Sequence, residues 1–295
     1  MILIAGGEAD PQLRLLVARA AALGLPHRAV LHREGGGLRL GWDLETDALT
    51  LDGEALAPTA AFVRQDVFRF LATKRPIDRE DARAWKALFD GWLWAHPAVR
   101  LLNRGFAMRD AVSKPLALVW AREAGLAIPR TTIHSDKASA EAALADAPTI
   151  YKPVAGGDMA RALEADALGR VSTPWLARPY IFQERLVPPE TRVFRVGARL
   201  LAYRVEAPTL DYRETRDVTV TKAEVPDGIA APLVALMDRL GLRWGAADFK
   251  TREATGEPVF LEVNSNPMFA AFDRAGEGDL TAAMLGWLAG SDDDA

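Results

Sequence analysis

The chain has 295 residues, a net charge of −4 and no cysteine. Its length is enough for a substantial core in two or three subdomains, and its acidic balance argues against a general nucleic-acid-binding protein. The lack of cysteine excludes disulfides, thiolate metal sites and a cysteine nucleophile, which fits a cytoplasmic protein. No apolar run approaches membrane-spanning length, and the short start Met1–Gly6 predicts a first strand rather than a signal peptide.

The first hundred residues predict an α/β unit. An apolar strand at 2–5 ends at Gly6-Gly7, and apolar residues at helical spacing from Leu13 to Leu23 predict a helix before a second strand at 28–32. The other predicted elements of this unit are strands at 38–42, 49–51 and 60–64 and a helix at 79–94.

The rest of the chain predicts two further units, so we expect a division into residues 1–100, 101–180 and 181–295. Ser113 and Asp136 are residue types that cap helix N-termini. The remaining predicted elements are strands at 149–152, 181–184, 192–196 and 199–205 and helices at 229–240 and 280–288.

The most informative pattern is a predicted hairpin near the C-terminus, with strands at 244–250 and 258–264. Residues two apart on a strand point to the same face, about 6.6 Å apart. Glu262 and Asn264 therefore share a face, and the adjacent strand brings Asp248 to it. Two carboxylates and one amide oxygen suit Mg²⁺, which prefers oxygen ligands. An edge hairpin with solvated acids is the alternative.

Two lysines are candidates for binding phosphate. Lys152 ends a predicted strand just before Gly156 and Gly157, and glycines permit close backbone approach to phosphate oxygens while an ammonium supplies compact positive charge. The alternative is a surface lysine beside a hairpin turn. Lys114 lies in the first turn of a predicted helix, where a cation is unfavourable unless an anion lies between it and the helix dipole.

A predicted strand and the residues after it are candidates for binding a nucleoside. The backbone of residues 181–186 is suited to pair with an adenine edge, and this stretch includes Gln183, Glu184, Arg185 and Leu186. Glu190 follows at a distance that suits a ribose, and an exposed hinge without ligand is the alternative for the whole stretch.

Arginines on the next two predicted strands offer positive charge for a phosphoryl group in transfer. Arg192, Arg195 and Arg204 are the candidates. Salt bridges to the neighbouring Glu190 and Glu206 are the alternative.

The order of these motifs resembles the ATP-grasp superfamily of carboxylate–amine ligases. Lysine, lysine with glycines, a Gln-Glu strand, arginines, then Asp…Glu-x-Asn follow one another between Lys114 and Asn264. Within the superfamily the sequence is similar to the ribosomal-protein-glutamylating ligases and still more to the graspetide (microviridin-type) peptide-cyclising ligases. Residues 103–131 resemble the start of their central domain, residues 211–213 their substrate loop, and residues 61–64 their N-terminal domain.

Two features depart from that resemblance. The glycine loop at 156–157 is brief, and the segment at 265–273 after Asn264 is not the form expected of a standard peptide cyclase. The second departure indicates a different carboxylate substrate.

The resemblance implies an α/β (α+β) ATP-grasp fold with an N-terminal pre-ATP-grasp α/β domain. It implies that Lys114, Lys152 and the Gly156-Gly157 loop contact ATP phosphates, that Gln183 to Leu186 line an adenine pocket and that Glu190 binds the ribose. The implied metal ligands are Asp248, Glu262 and Asn264, holding two Mg²⁺ ions, with Mn²⁺ as a substitute. Relatives of this kind are often dimers, so a homodimer is also an expectation.

The resemblance further implies that Arg192 and Arg204 stabilise charge as the γ-phosphoryl passes to a substrate carboxylate. An amine or hydroxyl then attacks the acyl phosphate. This chemistry relies on positioning and electrostatics, so a chain without cysteine can perform it.

The leading hypothesis is a ligase that modifies or cyclises a ribosomal precursor peptide. The same chemistry on a small molecule or a protein terminus is one alternative. A catalytically silent ATP-binding scaffold is another, although its Asp248, Glu262 and Asn264 would then have no reason to be kept together. A kinase is a weaker alternative because a Gly-rich Walker sequence is absent. Neither a nucleic acid nor a membrane is expected as a partner.

Overall fold

The computed structural model describes residues 1–33, 36–68, 76–104, 113–154, 159–210, 214–215 and 217–291, and at 76–78 it describes the backbone alone. Within these ranges the chain has the mixed α/β architecture that the sequence predicted. No helix in them is both long and apolar enough to cross a membrane.

The N-terminal sheet is parallel, with β1 at its interior. Its strands are β1 (Ile2–Gly7), β2 (His27–His32), β6 (Ala60–Val63) and β7 (Arg100–Leu101), in the order β2-β1-β6-β7. Every residue of β1 is buried, as a continuous apolar run in a parallel sheet requires. The elements around it are helices α1 (Pro11–Ala22) and α2 (Pro76–Ala95) and a small antiparallel sheet of β3 (Leu40–Asp43), β4 (Ala48–Leu51) and β5 (Glu54–Ala55).

The second sheet has the order β10-β9-β11-β8. Its elements are α3 (Lys114–Glu123), β8 (Thr131–Asp136), α4 (Lys137–Asp146), β9 (Thr149–Pro153), β10 (Arg161–Ala162), α5 (Ala165–Gly169) and β11 (Trp175–Glu184). The predicted cap at Asp136 is confirmed, since its carboxylate accepts a hydrogen bond from the backbone N–H of Ser139 at 2.8 Å. Ser113 makes no such side-chain bond.

The third sheet is antiparallel, in the order β14-β13-β12-β15-β16. Its elements are β12 (Val187–Val196), β13 (Arg199–Glu206), β14 (Thr219–Ala223), α6 (Ala230–Arg239), β15 (Trp244–Thr251), β16 (Pro258–Asn264), α7 (Ala270–Ala275) and α8 (Asp279–Ala289). Sequence analysis missed β8 and β14. Both lie at sheet edges and are largely exposed, so they lack the apolar alternation of a half-buried strand.

One hydrophobic cluster joins the N-terminal sheet to the third sheet. It contains Phe62 of β6, Trp244 of β15 and Phe269, which lies between β16 and α7. The Phe62 and Trp244 rings lie 6.3 Å apart, and the Trp244 and Phe269 rings lie 5.5 Å apart, both edge to face. The N-terminal sheet is thereby packed against the end of the C-terminal hairpin.

Candidate nucleotide and metal site

A cavity of about 420 Å³ lies between the second and third sheets. Both sheets contribute to its wall, and α3 contributes its first residue. The candidate residues that line it are Lys114, Lys152, Gln183, Glu184, Leu186, Glu190, Arg192, Asp248, Glu262 and Asn264. Residues that were scattered over the sequence therefore meet in one volume.

The predicted hairpin is present, and its register brings the three proposed metal ligands together. Asp248 of β15 pairs with Glu262 of β16, and Ala246 pairs with Asn264. A register shift follows Asp248, between Asp248 and Phe249. The Nδ2 atom of Asn264 lies 3.5 Å from Oδ2 of Asp248, a long hydrogen bond that turns the amide nitrogen towards the carboxylate.

Asp248 also belongs to a buried ion pair. Its two carboxylate oxygens each accept a hydrogen bond of 2.7 Å from the Arg192 guanidinium on the neighbouring strand β12. Both side chains are buried. Sequence analysis had considered Glu190 as the alternative partner of Arg192. The pairing with Asp248 instead follows from the register of β12 and β15, which places the two residues opposite each other.

The donor atoms of this trio fit a hard divalent cation. Oδ1 of Asp248 keeps a second lone pair beyond its bond to Arg192, and the Asn264 amide has its oxygen remaining beyond the bond that its nitrogen makes to Oδ2. These oxygens and the Glu262 carboxylate are the ligand types that Mg²⁺ prefers. In the described part of the chain, no cluster of three His, Cys, Asp or Glu side chains could hold a metal ion, so a site here needs the amide.

The two candidate lysines lie on different elements of the cavity wall. Lys114 is the first residue of α3, and Lys152 is buried on β9, where it pairs with Ile181 of β11. The predicted glycine loop at Gly156 and Gly157 lies outside the described residues.

Gln183 lines the cavity and has a buried hydrogen-bond acceptor. Its side chain is only 1% exposed, and its Nε2 donates to Oγ1 of Thr131 at 3.0 Å. The Thr131 hydroxyl donates to the carbonyl of Pro129 at 2.7 Å, so that hydroxyl can only accept from Gln183, and the amide orientation follows. Oε1 of Gln183 is buried without a partner among the described residues.

The next two residues, Glu184 and Arg185, make hydrogen bonds to residues that do not line the cavity. Burial alone would raise the pKa of the Glu184 carboxyl, but hydrogen bonds from Arg252 and from the backbone N–H of Arg130 hold that pKa below its ordinary value. Arg185 is exposed and does not line the cavity, and its backbone N–H donates to the carbonyl of Pro148 at 2.8 Å.

Glu190 faces a lysine that sequence analysis missed. Nζ of Lys250 lies 3.2 Å from the Glu190 carboxylate and donates to the carbonyl of Leu210 at 2.6 Å. Burial raises the pKa of Glu190, and the charge of Lys250 partly offsets the rise. The signal for Lys250 was its spacing of two from Asp248, which places both on one face of β15.

The prediction for Arg195 is wrong. This arginine is buried, donates to the backbone carbonyls of Gly197 and Leu242, and does not line the cavity.

Arg204 lies outside the cavity that holds the other candidates. It lines a neighbouring space of about 360 Å³, which shares Glu190 and Lys250 with the first. Its guanidinium is 4.0 Å from Glu206, the predicted alternative partner. Residues 211–213, which resemble a substrate loop, lie outside the described residues.

The cavity also has a wall that sequence analysis did not assign. Asn266, Pro267 and Met268 line it directly after β16. The departure of residues 265–273 from the expected family form was the only signal in the sequence that this segment is special.

The facing sheets and the cavity between them define the class: the chain has the ATP-grasp fold. No protein-family model matches the sequence, and no curated protein matches it significantly. Solved structures do match along nearly the whole chain. One is the ATP-grasp ligase PsnB complexed with a phosphomimetic variant of a minimal precursor, Mg and ADP, 24% identical, with a TM-score of 0.78, covering 97% of this chain and 98% of PsnB.

Two further structures show how widely the fold extends. The macrocyclase MdnC bound with precursor peptide MdnA, from Microcystis aeruginosa MRC, is 18% identical with a TM-score of 0.77, covering 99% of this chain and 100% of MdnC. The VanG D-Ala:D-Ser ligase from Enterococcus faecalis is 15% identical with a TM-score of 0.62, covering 98% of each chain. The fold that the sequence predicted is confirmed by these matches.

Proposed function

We propose that this protein is an ATP- and Mg²⁺-dependent ligase that activates a carboxylate as an acyl phosphate for attack by an amine or a hydroxyl. The observation that carries the proposal is that two lysines, Gln183 and the Asp248–Glu262–Asn264 trio line one cavity. The fold supports it, because PsnB is an ATP-grasp ligase in complex with Mg and ADP. A silent scaffold is disfavoured by the trio, because all three of its residues line the same cavity.

The cavity divides into a nucleoside end and a phosphate end. We assign adenine to Gln183, Glu184 and Leu186, which line the cavity, and the ribose to Glu190. We assign the phosphates to Lys114 and Lys152, with the Gly156-Gly157 loop as a further phosphate contact. Positive side chains at the phosphate end would balance the charge of a triphosphate.

The proposed metal ligands at the phosphate end of the cavity supply the electrostatics of phosphoryl transfer. Asp248, Glu262 and Asn264 would hold two Mg²⁺ ions, which when bound neutralise charge that develops on the β- and γ-phosphates. Arg192 orients Asp248 through its two hydrogen bonds. We assign Arg204 to the substrate side, because it lines the adjoining space rather than the cavity itself.

The substrate that we propose is a ribosomal precursor peptide. The proposal is supported by PsnB, which is complexed with a variant of a minimal precursor, and by MdnC, which is bound with a precursor peptide. We also propose that the chain divides into the three units 1–100, 101–180 and 181–295, and that two copies of it form a homodimer.

The test is co-expression with a candidate peptide encoded beside the gene and rich in Thr, Ser or Lys and in Asp or Glu. Each link formed by the proposed chemistry transfers one carboxylate oxygen of the peptide to inorganic phosphate and removes a proton from each of the two joined groups, so the peptide should lose the mass of one water per link. Purified protein should release ADP only when the peptide and Mg²⁺ are both present. ATP binding without turnover on any carboxylate would instead indicate a scaffold.

A ligase for a small molecule is the second candidate, and the likeness to VanG favours it. In that case ADP release should follow the addition of free amino acids and be indifferent to the peptide. The same assay therefore separates the two candidates.

A further inference from the structure

The segment that leaves β16 forms a wall of the cavity without belonging to a strand. Pairing between β15 and β16 ends at Ala246 and Asn264, and Asn266, Pro267 and Met268 then line the cavity. Asn264 is the last residue of β16 and one of the proposed magnesium ligands. Its position therefore depends on how the following residues are held.

Side chains from distant parts of the chain hold this segment at both ends. At its start, Nδ2 of Asn103 donates to the carbonyl of Ser265 at 3.2 Å. At its end, Oε1 of Gln12 accepts the backbone N–H groups of Phe269 and Ala270 at 2.8 and 2.5 Å. Gln12 stands in the first turn of α1, so it ties the segment to the N-terminal unit.

Arg64 holds the middle of the segment. Its Nη1 donates to Oδ1 of Asn266 at 2.6 Å and to the carbonyl of Pro267 at 2.9 Å. Its Nε donates to Oδ2 of Asp10 at 2.9 Å, and its guanidinium carbon lies 5.8 Å from the centre of the Phe269 ring. Arg64 is 1% exposed and Asp10 is 0% exposed.

This geometry requires the fork of an arginine. One planar guanidinium donates to Asp10 with Nε and to the 266–267 segment with Nη1, which the single ammonium of a lysine cannot reproduce. Asp10 is itself held, since its other carboxylate oxygen accepts the backbone N–H of Gln12 at 2.8 Å. The arginine is thus anchored on the N-terminal side and directed at the cavity wall.

We propose that Arg64 is a positioning residue for magnesium-dependent nucleotide binding: by holding Asn266 and Pro267 it keeps Asn264 in place as a metal ligand. The inference rests on the proposed function and adds to it a contribution from the N-terminal unit to the metal site. Arg64 does not line the cavity, so its effect passes through the segment that follows Asn264.

The test compares ADP affinity with Mg²⁺ and with EDTA, by calorimetry, in the full chain and in Arg64→Lys. Lysine keeps a positive charge beside Asp10 but loses the hydrogen bonds to Asn266 and to the carbonyl of Pro267. The gain in ADP affinity on adding Mg²⁺ should fall by roughly tenfold, equivalent to about 1.4 kcal/mol, while metal-free affinity changes by less than about twofold. Circular dichroism checks that the variant is folded.

Arg195→Lys is the matched control. Arg195 is also 1% exposed, but it donates to the carbonyls of Gly197 and Leu242 at 2.7 and 3.1 Å and does not line the cavity. Its substitution should leave the magnesium-dependent gain unchanged, whatever it does to stability. An equal loss in both arginine variants would overturn the inference.

Asn266→Ala removes the hydrogen bond between Arg64 and Asn266 by changing the exposed partner. This variant is the test if Arg64→Lys does not fold. It should reduce the magnesium-dependent gain in the same direction. If Arg64→Lys folds and the magnesium-dependent gain in ADP affinity is unchanged, the inference is overturned and the proposed function is not. If Arg64→Lys does not fold, an unchanged gain in Asn266→Ala has the same consequence. Absence of any magnesium-dependent ADP binding in the unsubstituted protein overturns the proposed function together with it.

Discussion

Arg192 and Asp248 lie opposite each other on β12 and β15, joined by two hydrogen bonds of 2.7 Å. Both residues are buried, so each charge depends on the other for compensation. One carboxylate of the proposed metal site is therefore also half of a buried ion pair, and its orientation is set before any cation arrives.

Loss of one partner from this pair should cost stability. Arg192→Ala leaves the Asp248 carboxylate buried without its counter-charge, and we expect the free energy of unfolding to fall by about 3–5 kcal/mol. Urea denaturation measures it. Arg204→Ala is the control, because Arg204 is half exposed beside Glu206 and should change stability by less than about 1 kcal/mol. Equal losses in the two variants would contradict the structural role of the pair.

Glu262→Ala should abolish ADP release while the protein stays folded. Glu262 is only partly buried, so its removal leaves no large cavity, but the proposed metal site loses one of its two carboxylates. The measurements are ADP release and circular dichroism. Glu253→Ala, in the exposed turn of the same hairpin, should behave like the unsubstituted protein. Turnover near that level in Glu262→Ala would remove the metal assignment.

Lys152→Ala should weaken ATP binding. Lys152 is buried and lines the cavity. We propose that its charge stabilises phosphate oxygens, so we expect affinity to fall by roughly tenfold or more. Calorimetry measures the affinity. Lys137→Ala serves as control, because Lys137 lies on α4 and does not line the cavity. A nucleotide affinity equal to that of the control would count against the phosphate role.

Gln183 should favour adenine over guanine. Its Oε1 is directed away from Thr131 as a buried acceptor, which suits the 6-amino group of adenine and opposes the 6-oxo group of guanine. Gln183→Leu should reduce the ratio of ATP to GTP affinity by roughly tenfold. Competition between the two nucleotides measures that ratio. A ratio that does not move would show that this oxygen does not read the base.

Glu190 should make stability depend on pH. Burial raises its pKa above the ordinary value of 4.5, so folding favours the protonated form. The stability contributed by this group is present below pH 4.5 and is lost as the pH rises through the raised pKa. Affinity for the ribose should change in the opposite direction, because the charged carboxylate is the better acceptor.

The variant Glu190→Gln separates this effect from other titrations. Its unfolding free energy should vary less with pH across that window than that of the unsubstituted protein, and Glu253→Gln should not alter the variation. An unchanged profile in Glu190→Gln would mean that another group is responsible.

Several features of the site were predictable because they depend on residues close in sequence. The period of two along a strand and a polar turn containing Gly256 were enough to bring Asp248, Glu262 and Asn264 together. The same local logic located Lys152 at the end of its strand. Edge strands β8 and β14 were missed because exposed strands carry a weak apolar pattern.

The order of the motifs in the sequence predicted the ATP-grasp fold through resemblance to a known family, and the candidates named from the sequence make up half of the residues that line the cavity. The folded chain was needed to show that Arg192 pairs with Asp248, that Gln183 turns its oxygen away from Thr131, and that Arg64 reaches residues 266–267. Those contacts join residues far apart in the chain. Strand register and core packing select them, and no local pattern encodes which distant donor a buried acceptor will meet.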